Sequence, residues 1–225
     1  MLKTILVAVA ALAAGPALAQ TSNWTVDATI GGVSDYRYRG YSLTDGDPAL
    51  QGGATLTHRS GLYTDIFVSA IDEYGVGDDG DGADIEITAT FGWSGSVSGY
   101  DVDAGVSAYR YPDGDEVNYV EFPLQVGRTF NALTGTLGFA YAPEQTALGD
   151  EDNRYGWASL AYATEDWPVS LGARLGYEDG SFAPDGKTDW ELGLTRDFGS
   201  ATMGLAWTDS DRTDGAVVAS LSVGF

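Results

Sequence analysis

From Trp24 to the terminal Phe225, apolar residues alternate with small or polar ones at a period of two, segment after segment. Trp24, Val26, Ala28 and Ile30 fall on one side of an extended chain, and Asp27, Thr29 and Gly31 on the other, because successive strand side chains point to opposite faces. The pattern returns over residues 50–58, 62–71, 85–93, 100–108, 120–128, 136–141, 155–163, 169–177, 190–198, 201–207 and 217–225. It predicts twelve strands, with no helical period beyond Gln20. The face of the 155–163 segment is ambiguous, so the count carries a margin of two.

The links between strands alternate in length. Short ones fall near residues 59–61, 94–99, 131–135, 164–168 and 197–200, and longer acidic ones near 40–48, 72–83, 111–116, 142–153, 178–187 and 209–215. Short turns at one end, long loops at the other and an even strand number describe a transmembrane up-and-down β-barrel with both termini periplasmic. Twelve strands of about 10 residues, six turns of about 4 and six loops of about 9 need roughly 200 residues. The chain has that length.

The first residues read as a secretory signal peptide. Lys3 precedes an apolar run over residues 5–14, Gly15 and Pro16 break it, and Ala17-Leu18-Ala19 fits a small-x-small cleavage site. Cleavage before Gln20 removes 19 of the 225 residues and leaves 206 as one barrel domain, 20–225. The run is too short to span a membrane as a helix.

A soluble sandwich would also alternate, hiding its apolar faces in a shared core. The aromatics favour lipid instead, because they gather at strand ends. Trp24, Phe91, Trp93, Tyr100, Phe130, Trp167, Phe198 and Phe225 mark the short-turn end, and Tyr36, Tyr38, Tyr111, Tyr141, Trp157, Tyr177, Trp190 and Trp207 the long-loop end. Two aromatic girdles flanking an aliphatic band suit two lipid interfaces. At the C-terminus, Val217, Ala219, Leu221, Val223 and Phe225 share one face, similar to the terminal signal read by the outer-membrane barrel-assembly machinery.

Composition narrows the function. Asp and Glu number 33 against 11 Lys and Arg, a net charge of −22 at pH 7, which excludes nucleic-acid phosphate as a partner. The absence of cysteine excludes disulfide, thiol and Cys-zinc chemistry. The only histidine is His58. Enzymatic barrels known to us pair a His with Ser, Asp or Glu at the external rim; His58 lies at the opposite end, beyond reach of such a nucleophile. No enzyme and no cofactor are expected. Asp78-Asp79-Gly80-Asp81-Gly82-Ala83-Asp84 could attract Ca²⁺, but Ala83 and Asp84 break the EF-hand pattern, so no metal site is assigned.

Parity then sorts the inward residues. Besides Ser, Thr and Gly they include Asp27, Asp35, Asp65, Glu86, Asp101, Asp103, Glu121 and Glu191, against Arg37, Arg39 and Arg174, with Phe67 and Tyr119 as rare large side chains. A filled barrel needs bulk inside; small polar residues predict a narrow aqueous passage, and acidic rings predict cation preference. The candidate pore-lining residues are Asp35, Arg37, Arg39, Asp65, Glu86, Asp101, Asp103, Glu121, Arg174 and Glu191. The acidic loops would extend the negative field to the mouth. In Asp35-Tyr36-Arg37-Tyr38-Arg39-Gly40, an extended backbone aims Asp35, Arg37 and Arg39 inward and the tyrosines at lipid. This predicts a constriction, a charge ladder to Asp65 or Glu86, or a lumenal salt-bridge network that holds the wall.

The run from Ser34 to Gly52 (SDYRYRGYSLTDGDPALQG) resembles the signature of the TorF family of proteobacterial porin-type proteins, S-D-Y-R-[FY]-R-G-x-S-x-[ST]-D-G-x-P-A-x-Q-G. With the turn at residues 60–63 and the strands that follow, the likeness covers most of the chain. It implies an outer-membrane barrel, and brings no substrate or catalytic residue. Together these features predict a porin-like channel in the bacterial outer membrane, in contact with lipid and lipopolysaccharide and passing small hydrophilic solutes. The competing reading is a non-conducting barrel that binds a ligand or divalent cation, or serves a structural role at the surface.

Overall fold

The computed structural model describes residues 23–77 and 82–225. The predicted signal peptide and residues 78–81 of the acidic run lie outside the described residues. In chain order the strands are β1 (Trp24–Val33), the short β2 (Arg37–Tyr38) and β3 (Tyr41–Ser42), β4 (Ala49–His58), β5 (Leu62–Tyr74), β6 (Ala83–Val97) and β7 (Tyr100–Arg110). They continue as β8 (Tyr119–Phe130), β9 (Leu133–Gln145), β10 (Glu151–Tyr162), β11 (Ser170–Gly180), β12 (Ala183–Phe198), β13 (Ala201–Ser210) and β14 (Ala216–Gly224). Twelve of them form one closed antiparallel barrel, and β2 pairs only with β3.

Closure removes the edges that an open sheet would leave unpaired. β1 pairs with β4 along its whole length and with β14 from Thr29↔Gly224 to Val33↔Ser220. Phe225 extends that seam, donating its N–H to the Ala28 carbonyl at 2.9 Å. The start of β1 and the C-terminal Phe225 therefore both lie at the short-turn rim. The outer face is aliphatic, with Val26, Leu50, Ile66, Leu137, Leu175 and Leu192 all well exposed. This is the reverse of a soluble sandwich, whose apolar faces meet inside.

Four of the six long links, those after β5, β9, β11 and β13, are shorter than the acidic runs predict, because the strands continue through them, while the β7–β8 link, 111–118, is slightly longer. β11 and β12 are joined by Ser181 and Phe182 alone, so Glu178 and Lys187, expected in a loop, are strand residues paired in register. The 34–48 segment is different. β1 ends at Val33, and the chain folds inward as the β2–β3 hairpin before rejoining the wall at Ala49.

Candidate functional site

The barrel interior has two unlike halves. Toward the long loops it is filled. Every one of the twelve strands contributes at least one buried inward side chain, from Val33 on β1 and Ser69 on β5 through Glu121 on β8 and Glu178 on β11 to Val218 on β14. The β2–β3 hairpin is the filling.

Its first residues anchor it near its own root. Asp35 accepts from Arg37 Nε at 2.6 Å and from Ser42 Oγ at 2.6 Å. Tyr36 is buried against Phe67 and donates its hydroxyl to Glu86; burial, then the Glu86 charge, pushes the phenol pKa well above its ordinary value. Tyr38 meets Tyr109, hydroxyl to hydroxyl, at 2.8 Å. Expectation and structure part here: Tyr36 and Tyr38 are inside the barrel, not at the lipid interface. Tyr111, which bonds Glu86, and Trp157, which stacks on Tyr155, are likewise inside. The extended-strand assumption failed because the chain reverses at Arg39-Gly40, where both residues adopt positive φ, 50° and 88°. Glycine suits that turn, and its lack of a side chain lets Gly40 pass against Ser210 and Asp189.

At the tip, Arg39 crosses to the far wall. Its Nη2 lies 2.7 and 2.8 Å from the two carboxylate oxygens of Glu121, and Nη1 lies 2.7 Å from Glu178 Oε1. The guanidinium sits 4.2 Å from the Tyr155 ring centre. Burial opposes the Arg39 charge, but Glu121 and then Glu178 help raise its pKa above the ordinary arginine value. Lys187 Nζ reaches Glu178 Oε2 at 2.7 Å and the Arg39 carbonyl at 2.6 Å. Arg174 pairs with Asp189 at 3.0 Å and donates to the Tyr155 hydroxyl. The expected ladder to Asp65 or Glu86 is replaced by these pairs. Buried charges need partners, and the cluster supplies most of them: of its own atoms, Arg39 Nε, Arg174 Nε and Asp189 Oδ2 are buried without one.

Toward the short turns the interior is open. Asp27, Thr29 and Asp101 are exposed to the lumen, Asp65 and Asp103 are half-buried, and the facing wall carries Thr136, Ser159, Gly172, Gly193, Thr195 and Ser222. Thr55 donates to Asp65 at 2.7 Å, and Tyr63 to Asp103 at 3.0 Å. Of the described basic residues, Arg37, Arg39, Arg174 and Lys187 belong to the filled half. Arg110, Arg128, Arg154 and Arg196 alternate outward, and Arg59 and Arg212 lie in links. All inward charge in the open half is therefore acidic.

Of the ten candidate residues, Asp35, Arg37, Arg39, Glu86, Glu121, Arg174 and Glu191 lie in the filled half, and Asp65, Asp101 and Asp103 in the open one. Sequence reasoning missed Glu178, Lys187, Asp189 and Tyr155. The parity of residues 174, 176 and 178, carried through the supposed loop, is the signal that finds Glu178. His58 bonds Ser60 at the short-turn rim and packs on Trp24. Among the described residues no group of three or more His, Asp or Glu could hold a metal ion.

A family model described as "Bacterial protein of unknown function (Gcw_chp)" matches residues 17–223. No curated protein matches the chain. Among solved structures, the barrel is similar to the KdgM porin (TM-score 0.59, 11% identity, 88% of this chain and 99% of that one). It is also similar to the NanC porin (0.56, 10%, 89% and 98%) and to the COG4313 outer membrane channel from Pseudomonas putida F1 (0.55, 11%, 92% and 97%). At such identities these likenesses concern the fold.

Proposed function

Because the chain belongs to the Gcw_chp family, whose description assigns no activity, we propose from its geometry that it is a gated, cation-preferring outer-membrane channel for small hydrophilic solutes. The observation that carries this reading is the open half of the lumen, where every inward charge is a carboxylate and hydroxyl side chains and glycine dominate the remaining wall. A low-dielectric wall focuses such a field, concentrating cations and repelling anions. The outward aliphatic band fits a bilayer. In this reading Trp24 and Phe225 mark the periplasmic rim, the signal peptide exports the chain, and Phe225 engages the assembly machinery. The fit of residues 34–52 to the TorF signature supports the same class. No part of the mechanism calls on a reacting group, so we assign no enzymatic role.

The hairpin is the gate. Its tip is held by ion pairs and hydroxyl contacts, which water can replace when the segment moves, while Tyr36, Tyr38 and Leu43 pack on an apolar cluster that includes Phe67, Ile71, Tyr109 and Tyr111. Val33 and Ala49 are register partners, so a short turn between them can replace residues 35–47 without opening the barrel.

The test is planar-bilayer conductance across a KCl gradient, with refolding checked by heat-modifiable mobility. We expect small, intermittent, cation-selective steps from the mature chain and larger, steadier ones from the hairpin-deleted chain. Anion selectivity overturns the charge preference. A folded deletion variant that passes no current overturns the channel and favours a non-conducting, ligand-binding or structural barrel, the second reading, which draws its support from the filled half of the lumen.

A further inference from the structure

The contacts of Arg39 describe a receptor as much as a brace. Glu121 on β8, Glu178 on β11 and Tyr155 on β10 are wall residues, almost wholly buried. They present two carboxylates to one planar fork and an aromatic face beneath it. Two carboxylates that accept from two different nitrogens of one planar fork, with an aromatic face against it, select a guanidinium over an ammonium, which is a compact point charge. The walls are themselves positioned: Tyr109 donates to Glu121, and Asn153 and Lys187 donate to Glu178.

Arg39 is an imperfect occupant. Its Nε is buried and unpartnered, and its backbone takes a left-handed conformation that costs a non-glycine residue. The backbone penalty is one that a free guanidinium compound does not share.

We propose that Glu121, Glu178 and Tyr155 form a lumenal binding site for guanidinium-bearing solutes, which Arg39 occupies as a tethered surrogate until a solute displaces it. This rests on the channel reading for its consequence, since displacement of the tip would free the hairpin from the far wall. It names the solute class for that reading: small organic cations ending in a guanidinium. In the resting protein a tethered side chain competes at an effective concentration in the mM range, so the gate would respond only to abundant solute.

The experiment is calorimetric titration of the refolded full-length R39A variant with methylguanidinium, using methylammonium as the control. We expect R39A to bind methylguanidinium about tenfold or more tightly than methylammonium, given the added charged hydrogen bonds, and more tightly than the native chain does. Adding Glu121→Gln should remove most of that binding. Should R39A fail to refold alone, the expected result is refolding in methylguanidinium and not in methylammonium, because a ligand of the native state favours it by mass action. Refolding in neither, equal binding of the two cations, or no binding by folded R39A overturns the site. The channel reading is judged separately: binding without current in the hairpin-deleted chain removes the channel and leaves the site, and current without binding does the reverse.

Discussion

The two halves of the lumen are built by the same twelve strands under the same alternation, yet they obey different rules. In the filled half the inward positions carry Tyr109, Tyr155, Glu121, Glu178, Lys187 and Asp189, nearly all without solvent contact. In the open half they carry Thr, Ser, Gly and a few aspartates that water reaches. Charges in the first are desolvated and depend on one another, whereas those in the second are solvated and act on whatever passes. A lumenal carboxylate therefore cannot be assigned to structure or to transport by its direction alone. Its partners decide.

The widest separation between the halves should appear in stability. Arg174→Ala leaves Asp189, whose side chain is 1% exposed, bonded to the Tyr155 hydroxyl but without its cation. Breaking a buried pair by removing one member costs about 3–5 kcal/mol. Asp65→Asn, in the open half, removes a half-solvated charge that keeps an amide oxygen for the Thr55 hydroxyl, and should cost less than about 1 kcal/mol. Denaturant unfolding of both variants in lipid vesicles measures the difference. Equal losses would show that the interior is energetically uniform and remove the basis for treating the halves separately.

How far the sequence discloses this division follows from what alternation encodes. Period two is a backbone property, so it identifies strands, faces and the closing seam from Val217 to Phe225 without any knowledge of neighbours. It cannot say which inward positions share a level across the barrel, because that depends on register, and so the pairing of Arg39 with Glu121 and Glu178 is invisible to it. The hairpin is hidden for a different reason. Asp35-Tyr36-Arg37-Tyr38 alternates as well as any wall segment, and the reversal rests on Arg39 adopting positive φ, a conformation arginine seldom takes. At Glu178 and Lys187 the misleading signal is composition. Asp179, Gly180, Ser181, Pro184, Asp185 and Gly186 read as a loop, but Gly180 at φ 118° and the register shift there let the strands run on to a two-residue link.

Selectivity should separate the halves next, in the opposite sense. Replacing Asp27, Asp101 and Asp103 together by Asn removes three open-half charges and leaves the Arg39 cluster intact. Reversal potentials of the hairpin-deleted chain should move toward neutrality, most visibly at low salt where screening is weakest, with little change in unfolding. If selectivity survives the triple change, the charge filter lies with Asp65, in the filled half or in the external loops.

The finest division runs through a single hydroxyl. Tyr63 reaches from β5 over Gly92 on β6 to Asp103 on β7, so it is the place where the open half most resembles the filled one. Asp103 Oδ2 is buried without a partner, which leaves the Tyr63 bond at Oδ1 as the contact orienting that carboxylate. Tyr63→Phe keeps the ring over Gly92 and removes the donor. A hydrogen bond to a charged group is worth about 1.5–3 kcal/mol when both partners are held, and less as water takes the donor's place. Because Asp103 is half-solvated, we expect a loss of about 1 kcal/mol or below, together with a small rise in cation preference as the freed carboxylate turns to the lumen. A loss as large as that of Arg174→Ala would place Asp103 with the buried cluster and move the boundary between the halves one layer toward the short turns.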